Sequence, residues 1–437
     1  MFFCGKPQNY SNMRQKTKIL MLSLLATLFL MPANAQRWGR VQGAPVTVYS
    51  FTENVNTAPE VINIFYATQG EYFRDPQVPR FILTDREGKW ALGIGGYVMA
   101  RSEFDFDKIV DNVDFLPSHI QRGNGPSTQY QMDVSTSTLF IKLVGHSRLL
   151  GDFHIYTAGD WRGDGKTLRL LNAYMATKYM TLGYSTGSFM DLAAYPATVD
   201  NAGPCGMTFY RATQLALRYG FDWGLSMGIA IESPDIQATG NEYVSVGAQR
   251  FPNIPIYFKY QIDKNTHVRV GGIMRDVSYR NLVNGAQRQK IAWGAQASTL
   301  LTMGDFHISG QYTVGEGIGS LINDVSNVGM DVVPVPEKDG AMMMLLTDVW
   351  FASMQYNINK SMFVGAVYSQ SNIRSRKGFA GANPDMYKRG QYVAVNMFAN
   401  ISQNMQLGIE YLHGWRLDFD EHTYNANRIN LSARYNF

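Results

Sequence analysis

The 437 residues are 45% hydrophobic and 13% aromatic, yet only 17% are charged, and 41 glycines are spread along the chain. The aromatic load excludes a disordered chain, and the glycine excludes a coiled coil. After the N-terminus no run of about 20 apolar residues occurs, which excludes a bundle of membrane helices.

The chain opens on a leader. Arg14, Lys16 and Lys18 precede an apolar run from Ile19 to Met31, and Ala33-Asn34-Ala35 has the small-x-small form of a cleavage site. This is the three-part layout of a secretory signal, so residues 1–35 are expected to be removed. Removal takes four of the 39 basic residues and no acids, leaving 35 of each sign. The formal charge of +4 therefore belongs to the leader, and the basic excess that a nucleic-acid partner requires is missing. Cys4 leaves with the leader, and Cys205, left alone, cannot form an internal disulfide.

Residues 36–91 form a separate N-terminal segment, periplasmic or lumenal. Thr57-Ala58-Pro59-Glu60 has capping-box spacing, so a short helix is expected through about Ala67 with Ile62, Phe65 and Tyr66 on one face. Three placements stay open: free in the periplasm, partly plugging a lumen, or bound to a neighbouring subunit.

From 92 to 437 the pattern is all-β, a transmembrane antiparallel β-barrel of about 16 strands. The signal is cleanest at the end, where Ile429, Leu431, Ala433, Tyr435 and Phe437 alternate with Arg428, Asn430, Ser432, Arg434 and Asn436. Period-two alternation puts the two sets on opposite faces of a strand. Similar segments start near Leu92, Thr128, Gly151, Lys166, Met180, Thr208, Trp223, Ile254, Thr266, Gln289, Asp305, Leu345, Ser361, Gly390, Met405 and Asn427. Most run about 9 to 15 residues, where a membrane strand needs about 9 to 11 and soluble strands average about five or six.

The connections alternate in length. Gly220-Phe221-Asp222, Asp263-Lys264-Asn265, Met303-Gly304, Asn357 to Lys360 and Ser402-Gln403-Asn404 are short. Between them lie the long stretches 107–127, 189–207, 233–253, 317–344 and 375–389. Outer-membrane barrels have short periplasmic turns and longer outer loops. Tyr179, Tyr219, Tyr260, Tyr356 and Tyr435 fall beside the short turns, as an interfacial girdle would place them.

A barrel of this size is too wide for its own side chains to fill, so its inner face should be polar. Arg269 and Arg275 share a parity opposite to Val268, Val270 and Met274. Lys259 and Gln261 oppose Ile256, Phe258 and Tyr260, while Gln406 and Glu410 oppose Leu407, Ile409 and Tyr411. Basic residues dominate this inferred wall: Arg218, Lys259, Arg269, Arg275, Lys290, Arg428 and Arg434 against Glu410.

Several runs resemble DcaP-like outer-membrane porins: Pro79-Arg80-Phe81, then Gly95-Gly96-Tyr97-Val98, then Leu168 to Tyr174, then Gly183-Tyr184-Ser185-Thr186-Gly187-Ser188-Phe189-Met190-Asp191. Asp200, Gly203-Pro204 and Arg211 with Gln214 and Arg218 continue the likeness, which spans roughly 79–437. The final Arg434-Tyr435-Asn436-Phe437 is similar to the C-terminal signature read by barrel-assembly machinery. The resemblance implies a homotrimeric porin in outer-membrane lipid, passing small anionic solutes such as dicarboxylates. It also implies that loop 189–207 folds inward, setting Asp191 and Asp200 against a wall carrying Arg211, Arg218, Arg269 and Arg275. The family often carries an arginine in its fourth strand, where this chain has Leu171 or Asn172.

The pentapeptide Gly151-Asp152-Phe153-His154-Ile155 recurs as Gly304-Asp305-Phe306-His307-Ile308, but eight strands apart, which argues against a shared metal site. The seven histidines (His119, His146, His154, His267, His307, His413 and His422) pair with no serine motif. Neither catalysis nor a cofactor is expected.

Overall fold

The computed structural model describes residues 47–50 and 60–437, apart from 71, 111, 124 and 327. The expected leader and Thr57-Ala58-Pro59 of the expected capping box lie outside the described residues.

Sixteen antiparallel strands close into a barrel. They are β1 (Trp90–Phe106), β2 in two stretches (Thr128–Asp133 and Thr138–Ser147), β3 (Gly151–Asp160), β4 (Arg169–Thr177), β5 (Met180–Thr186), β6 (Arg211–Gly220), β7 (Leu225–Glu232) and β8 (Ile254–Asp263). The second half comprises β9 (Thr266–Asn281), β10 (Gln287–Met303), β11 (Phe306–Glu316), β12 (Leu346–Asn357), β13 (Met362–Arg374), β14 (Tyr387–Asn400), β15 (Met405–Asp418) and β16 (Thr423–Asn436). Each pairs with its chain neighbour, and β16 pairs with β1 from Asn427↔Phe106 to Asn436↔Tyr97. Closure matters because hydrocarbon offers no partner to a free edge.

The faces are inverted relative to a soluble protein. Arg101, Arg275 and Arg428 are among the largest fully buried side chains. Val98, Ile231, Val270 and Val395 are each more than half exposed. An outward wall this apolar is stable only against lipid. Tyr179, Tyr219, Tyr260, Tyr356 and Tyr435 all point outward at the turn end, and several lie against other rings, as in Tyr179–Tyr219 at 6.3 Å and Phe306–Tyr356 at 4.6 Å.

Every expected strand is present, with shifted ends. β14 and β16 begin at Tyr387 and Thr423 rather than Gly390 and Asn427, because the ladders run further out past an irregularity at Tyr387/Arg389. Two connections at the loop end, 282–286 and 419–422, are short. The segment before β1 contributes to the wall. Phe81–Thr84 pairs antiparallel with Ala91–Ile94, and Thr47–Ser50 runs parallel beside it. Upstream, a 3-10 turn at Glu60–Ile62 leads into a helix at Asn63–Ala67. Ile62 and Phe65 are buried as expected, but Tyr66 is 37% exposed, so the apolar face is narrower than the pattern suggested.

Candidate solute pathway through the barrel

The connection between β5 and β6, residues 187–210, lies inside the barrel against the β9–β15 side. At its start, Arg269 on β9 donates to the carbonyl oxygens of Ser188 (2.6 Å) and Phe189 (3.2 Å). Asp191 accepts from Ser298 Oγ at 2.6 Å and meets His267 Nε2 at 2.8 Å. Further on, Asn396 Nδ2 donates to the Ala197 carbonyl, and Glu410 accepts from the Val199 and Asp200 amides at 3.0 and 2.7 Å. Ser369 Oγ accepts from the Gly206 amide at 2.8 Å, and a Cβ at Gly206 would strike the Gln370 and Trp350 backbone. Glycine is required there for the loop to lie flat on the wall. Burial holds the thiol of neighbouring Cys205 well above its usual range.

The wall of β15, β16 and β1 carries paired charge under cover. Arg428 grips Asp105 and donates to the carbonyl oxygens of Asn112 (2.9 Å) and Val113 (3.0 Å) in the loop between β1 and β2. Arg101 lies 3.0 Å from Asp133 and 3.4 Å from Glu103. Asp114 of the same loop binds Arg162. Asp200 accepts from the Phe115 amide at 2.9 Å, joining the two inward loops. Its burial, with Asp114 nearby, raises its pKa above the usual carboxylate range. Asp114 is also buried, but Arg162 and Arg101 outweigh that and lower its pKa.

The other expected wall arginines also hold backbone. Arg275 on β9 is fully buried, donating to the Gly317 and Asp235 carbonyls and to Ser320 Oγ (2.9 Å), with Asp331 at 3.5 Å. Arg434 on β16 lies 3.9 Å over the Tyr97 ring and donates to the carbonyls of Phe73 (3.2 Å) and Asp75 (3.3 Å). That contact brings residues 72–75 into the turn-side mouth, beside residues 68–70. Lys142 on β2 binds the Thr68 carbonyl (2.7 Å) and Gln69 Oε1 (2.8 Å) there, while Phe73 packs edge-on to Phe398 at 4.9 Å. Arg74 reaches up from this segment to Thr198 Oγ1 (2.7 Å) and the Asp200 and Asn201 carbonyls of the inward loop.

The opposite side, β4 to β8, is left open. Inward-facing Asn172, Tyr174, Thr181, Ser226, Tyr257 and Lys259 are half-buried, and Arg218 is exposed. Arg218 donates to the carbonyl oxygens of Thr177 (2.6 Å) and Lys178 (3.1 Å) at the β4–β5 turn. Gly228 lets the Tyr257 ring lie against the wall, since a Cβ there would meet that ring, and Arg269 stacks on the same ring at 4.3 Å. Arg211 departs from strict alternation at the start of β6. Its guanidinium, half-buried, sits 5.0 Å over Phe209, and its Nε has no hydrogen-bond partner among the described residues. Among the described residues neither Arg211 nor Arg218 has a carboxylate within ion-pair distance. The single acid facing inward from β6 to β8 is Glu232, covered by Tyr210 Oη (2.8 Å) and the Ser188 amide (2.6 Å).

A family model described as DcaP outer membrane protein matches residues 95–437. The chain belongs to the DcaP outer membrane protein family. No curated protein matches the sequence. Among solved structures, the outer membrane channel DcaP of Acinetobacter baumannii superposes with a TM-score of 0.70 at 16% identity, covering 80% of this chain and 98% of that one. OmpT of Vibrio cholerae gives 0.52 at 12% identity, covering 80% and 98%. An anion-selective porin from Comamonas acidovorans gives 0.50 at 11%, covering 80% and 100%. At these identities the likeness is one of fold: a sixteen-stranded outer-membrane channel barrel.

Within this DcaP-family barrel, the residues singled out from sequence divide into two groups. Arg269, Arg275, Arg428, Arg434, Asp191, Asp200 and Glu410 bind backbone or one another, whereas Arg211, Arg218 and Lys259 line the open side. Sequence reasoning missed Arg101, Glu103 and Asp105, although their alternation with Ser102, Phe104 and Phe106 was available to it. It also missed Arg74, for which no periodic signal exists.

Proposed function

We propose that this barrel is a passive outer-membrane channel for small hydrophilic anions, dicarboxylates among them, that pass along its β4–β8 side. The observation carrying this reading is that, among the described residues, Arg211 and Arg218 on that side have no carboxylate partner, with Glu232 withdrawn under Tyr210 and Ser188. A cation-lined cleft with low-dielectric walls concentrates counter-charged solute, and the planar fork of arginine suits carboxylates. Asp191 and Asp200 act in this reading as anchors of the inward loop, while Lys259 extends the basic side toward the turn end. Residues 36–91 supply the segment that narrows the turn-side mouth through Phe73 and Arg74. The leader 1–35 directs export, the terminal Phe437 engages barrel assembly, and three copies form the working unit; the Vibrio OmpT comparison includes a structure titled as a trimer form.

Liposome swelling tests the proposal. The mature protein should admit a C4 dicarboxylate faster than a neutral sugar of equal size, and Arg211→Gln with Arg218→Gln should remove that advantage. Equal rates in the parent protein would leave a general diffusion porin. No swelling with correctly folded protein would favour the second reading, a plugged barrel, which the contacts of Phe73 and Arg74 support.

A further inference from the structure

The outward face of β12, β13 and β14 is apolar only up to a certain height. Read from mid-barrel toward the loop end, one row pairs Met354, Ala366 and Val395, and the next pairs Ala352, Tyr368 and Val393. Above them Trp350, Gln370, Gln391 and Trp415 form a third row, and Asp348, Asn372, Arg389 and Leu417 a fourth. Tryptophans on an outward face mark the boundary between hydrocarbon and headgroups. The fourth row therefore stands at the depth of lipid phosphates.

The polar groups at that depth form a built recess. Arg374 Nε donates to Asp348 at 2.6 Å, Asn372 bridges Asp348 (3.2 Å) to Arg389 Nε (2.6 Å), and Gln391 donates to Tyr368 Oη at 2.7 Å. Lys388 pairs with Glu421 across the rim. Asp348, Asn372, Arg374, Lys388, Arg389 and Glu421 line a cavity of about 420 Å³ at the rim, together with Ile373, Ala380 and Phe419. Asp348 and Glu421 each have a cation, but among the described residues Arg389 has no carboxylate partner. A guanidinium held through its Nε in this way keeps its two terminal nitrogens as donors, in the fork geometry that binds two phosphate oxygens. Below it, the Trp350 and Tyr368 rings pack 5.1 Å apart, and the exposed Ala352 and Ala366 beneath them form a low apolar surface on which an acyl chain can lie.

We propose that this recess is a docking site for an acylated lipid bearing a phosphomonoester headgroup, held by Arg389 and Arg374 with its chains on the Ala352/Ala366 surface. It does not depend on the transported solute.

Trp350 and Trp415 flank the site, so the test is optical. The full mature protein is reconstituted in phosphatidylcholine vesicles containing either brominated-acyl phosphatidic acid or brominated-acyl phosphatidylcholine at equal mole fraction. Quenching of the two tryptophans is read as the difference from the Trp350→Phe/Trp415→Phe variant. Phosphatidic acid should be enriched over phosphatidylcholine about fivefold at the site for each basic residue it engages. Arg374→Gln with Arg389→Gln should remove the enrichment, and Arg389→Lys should keep most of it, with heat-modifiable gel mobility confirming the fold of each variant. Excess inorganic phosphate should leave the quenching unchanged, since it lacks the chains. Equal quenching by the two lipids, enrichment that survives the double variant, or loss of enrichment to inorganic phosphate alone would each overturn the proposal. So would a disulfide between copies at Gln370→Cys, which would show that a second copy of the chain covers this face.

Discussion

The two sides of the lumen use charge in opposite ways. On β15, β16 and β1, acids and arginines are buried together and meet the inward loops: Arg428 with Asp105 and the Val110, Asn112 and Val113 carbonyls, Glu410 with the Val199 and Asp200 amides. Eight strands away, β6 to β8 carry Arg218 and Lys259 with one inward acid, already covered. A charge inside a wide barrel can thus serve as mortar or as pore lining, and burial separates the two. Buried arginine requires a carboxylate or several carbonyls to offset desolvation, whereas an arginine in water can stay unpaired and remain available to a solute.

The strongest way to break this contrast is to remove a cation from each side. Arg428→Ala leaves Asp105 and Glu103 buried without it, and should cost about 3–5 kcal/mol. Arg218→Ala gives up hydrogen bonds to the Thr177 and Lys178 carbonyls and Thr181 Oγ1 from an exposed side chain, worth about 1–2 kcal/mol in all. Urea titration of the folded fraction by gel mobility checks both, and equal losses would erase the distinction.

A smaller effect is expected where the inward loop is tied. Arg269→Gln loses the charged donor to Ser188 and Phe189, about 2 kcal/mol of anchoring, and Arg74→Ala frees the Thr198–Asn201 stretch from below. Either change should raise single-channel conductance by letting the loop swing from the β9–β15 side. Unchanged conductance would mean the loop does not bound the open path.

The smallest effect sharpens the contrast by pH. Burial works to raise the pKa of Asp191, but His267, Arg269 and Ser298 outweigh it, so the net direction is down from 3.8. A carboxylate with a lowered folded pKa stabilises its site above the unfolded value and loses that contribution as pH falls through the folded one. Acidification below 3.8 should therefore loosen this end of the loop and raise conductance. Asp191→Asn should show the looser level already at neutral pH, with a flatter profile between.

Much of the fold was legible because membrane strands obey one rule over a long stretch. The β16 alternation from Arg428 to Phe437 appears in the structure residue for residue, and the girdle tyrosines stand where the short turns implied. The parity of Arg269 and Arg275 was equally readable. Most of their partners were not, because those include the backbone carbonyls of Ser188, Phe189, Gly317 and Asp235, and backbone atoms leave no mark in sequence. For the same reason Arg74 could not be placed, since it lies in a segment without period and reaches a loop more than 120 residues away. Tyr66 was misjudged because a helix of five residues has too few turns to hold a wide apolar face.

The most direct test of the basic open side is the reversal potential of the mature protein in a planar bilayer across a potassium chloride gradient. Anion preference is expected, reduced in Arg211→Gln/Arg218→Gln and retained in Arg374→Gln on the outer face. Cation preference, or an anion preference indifferent to Arg211 and Arg218, would contradict the account.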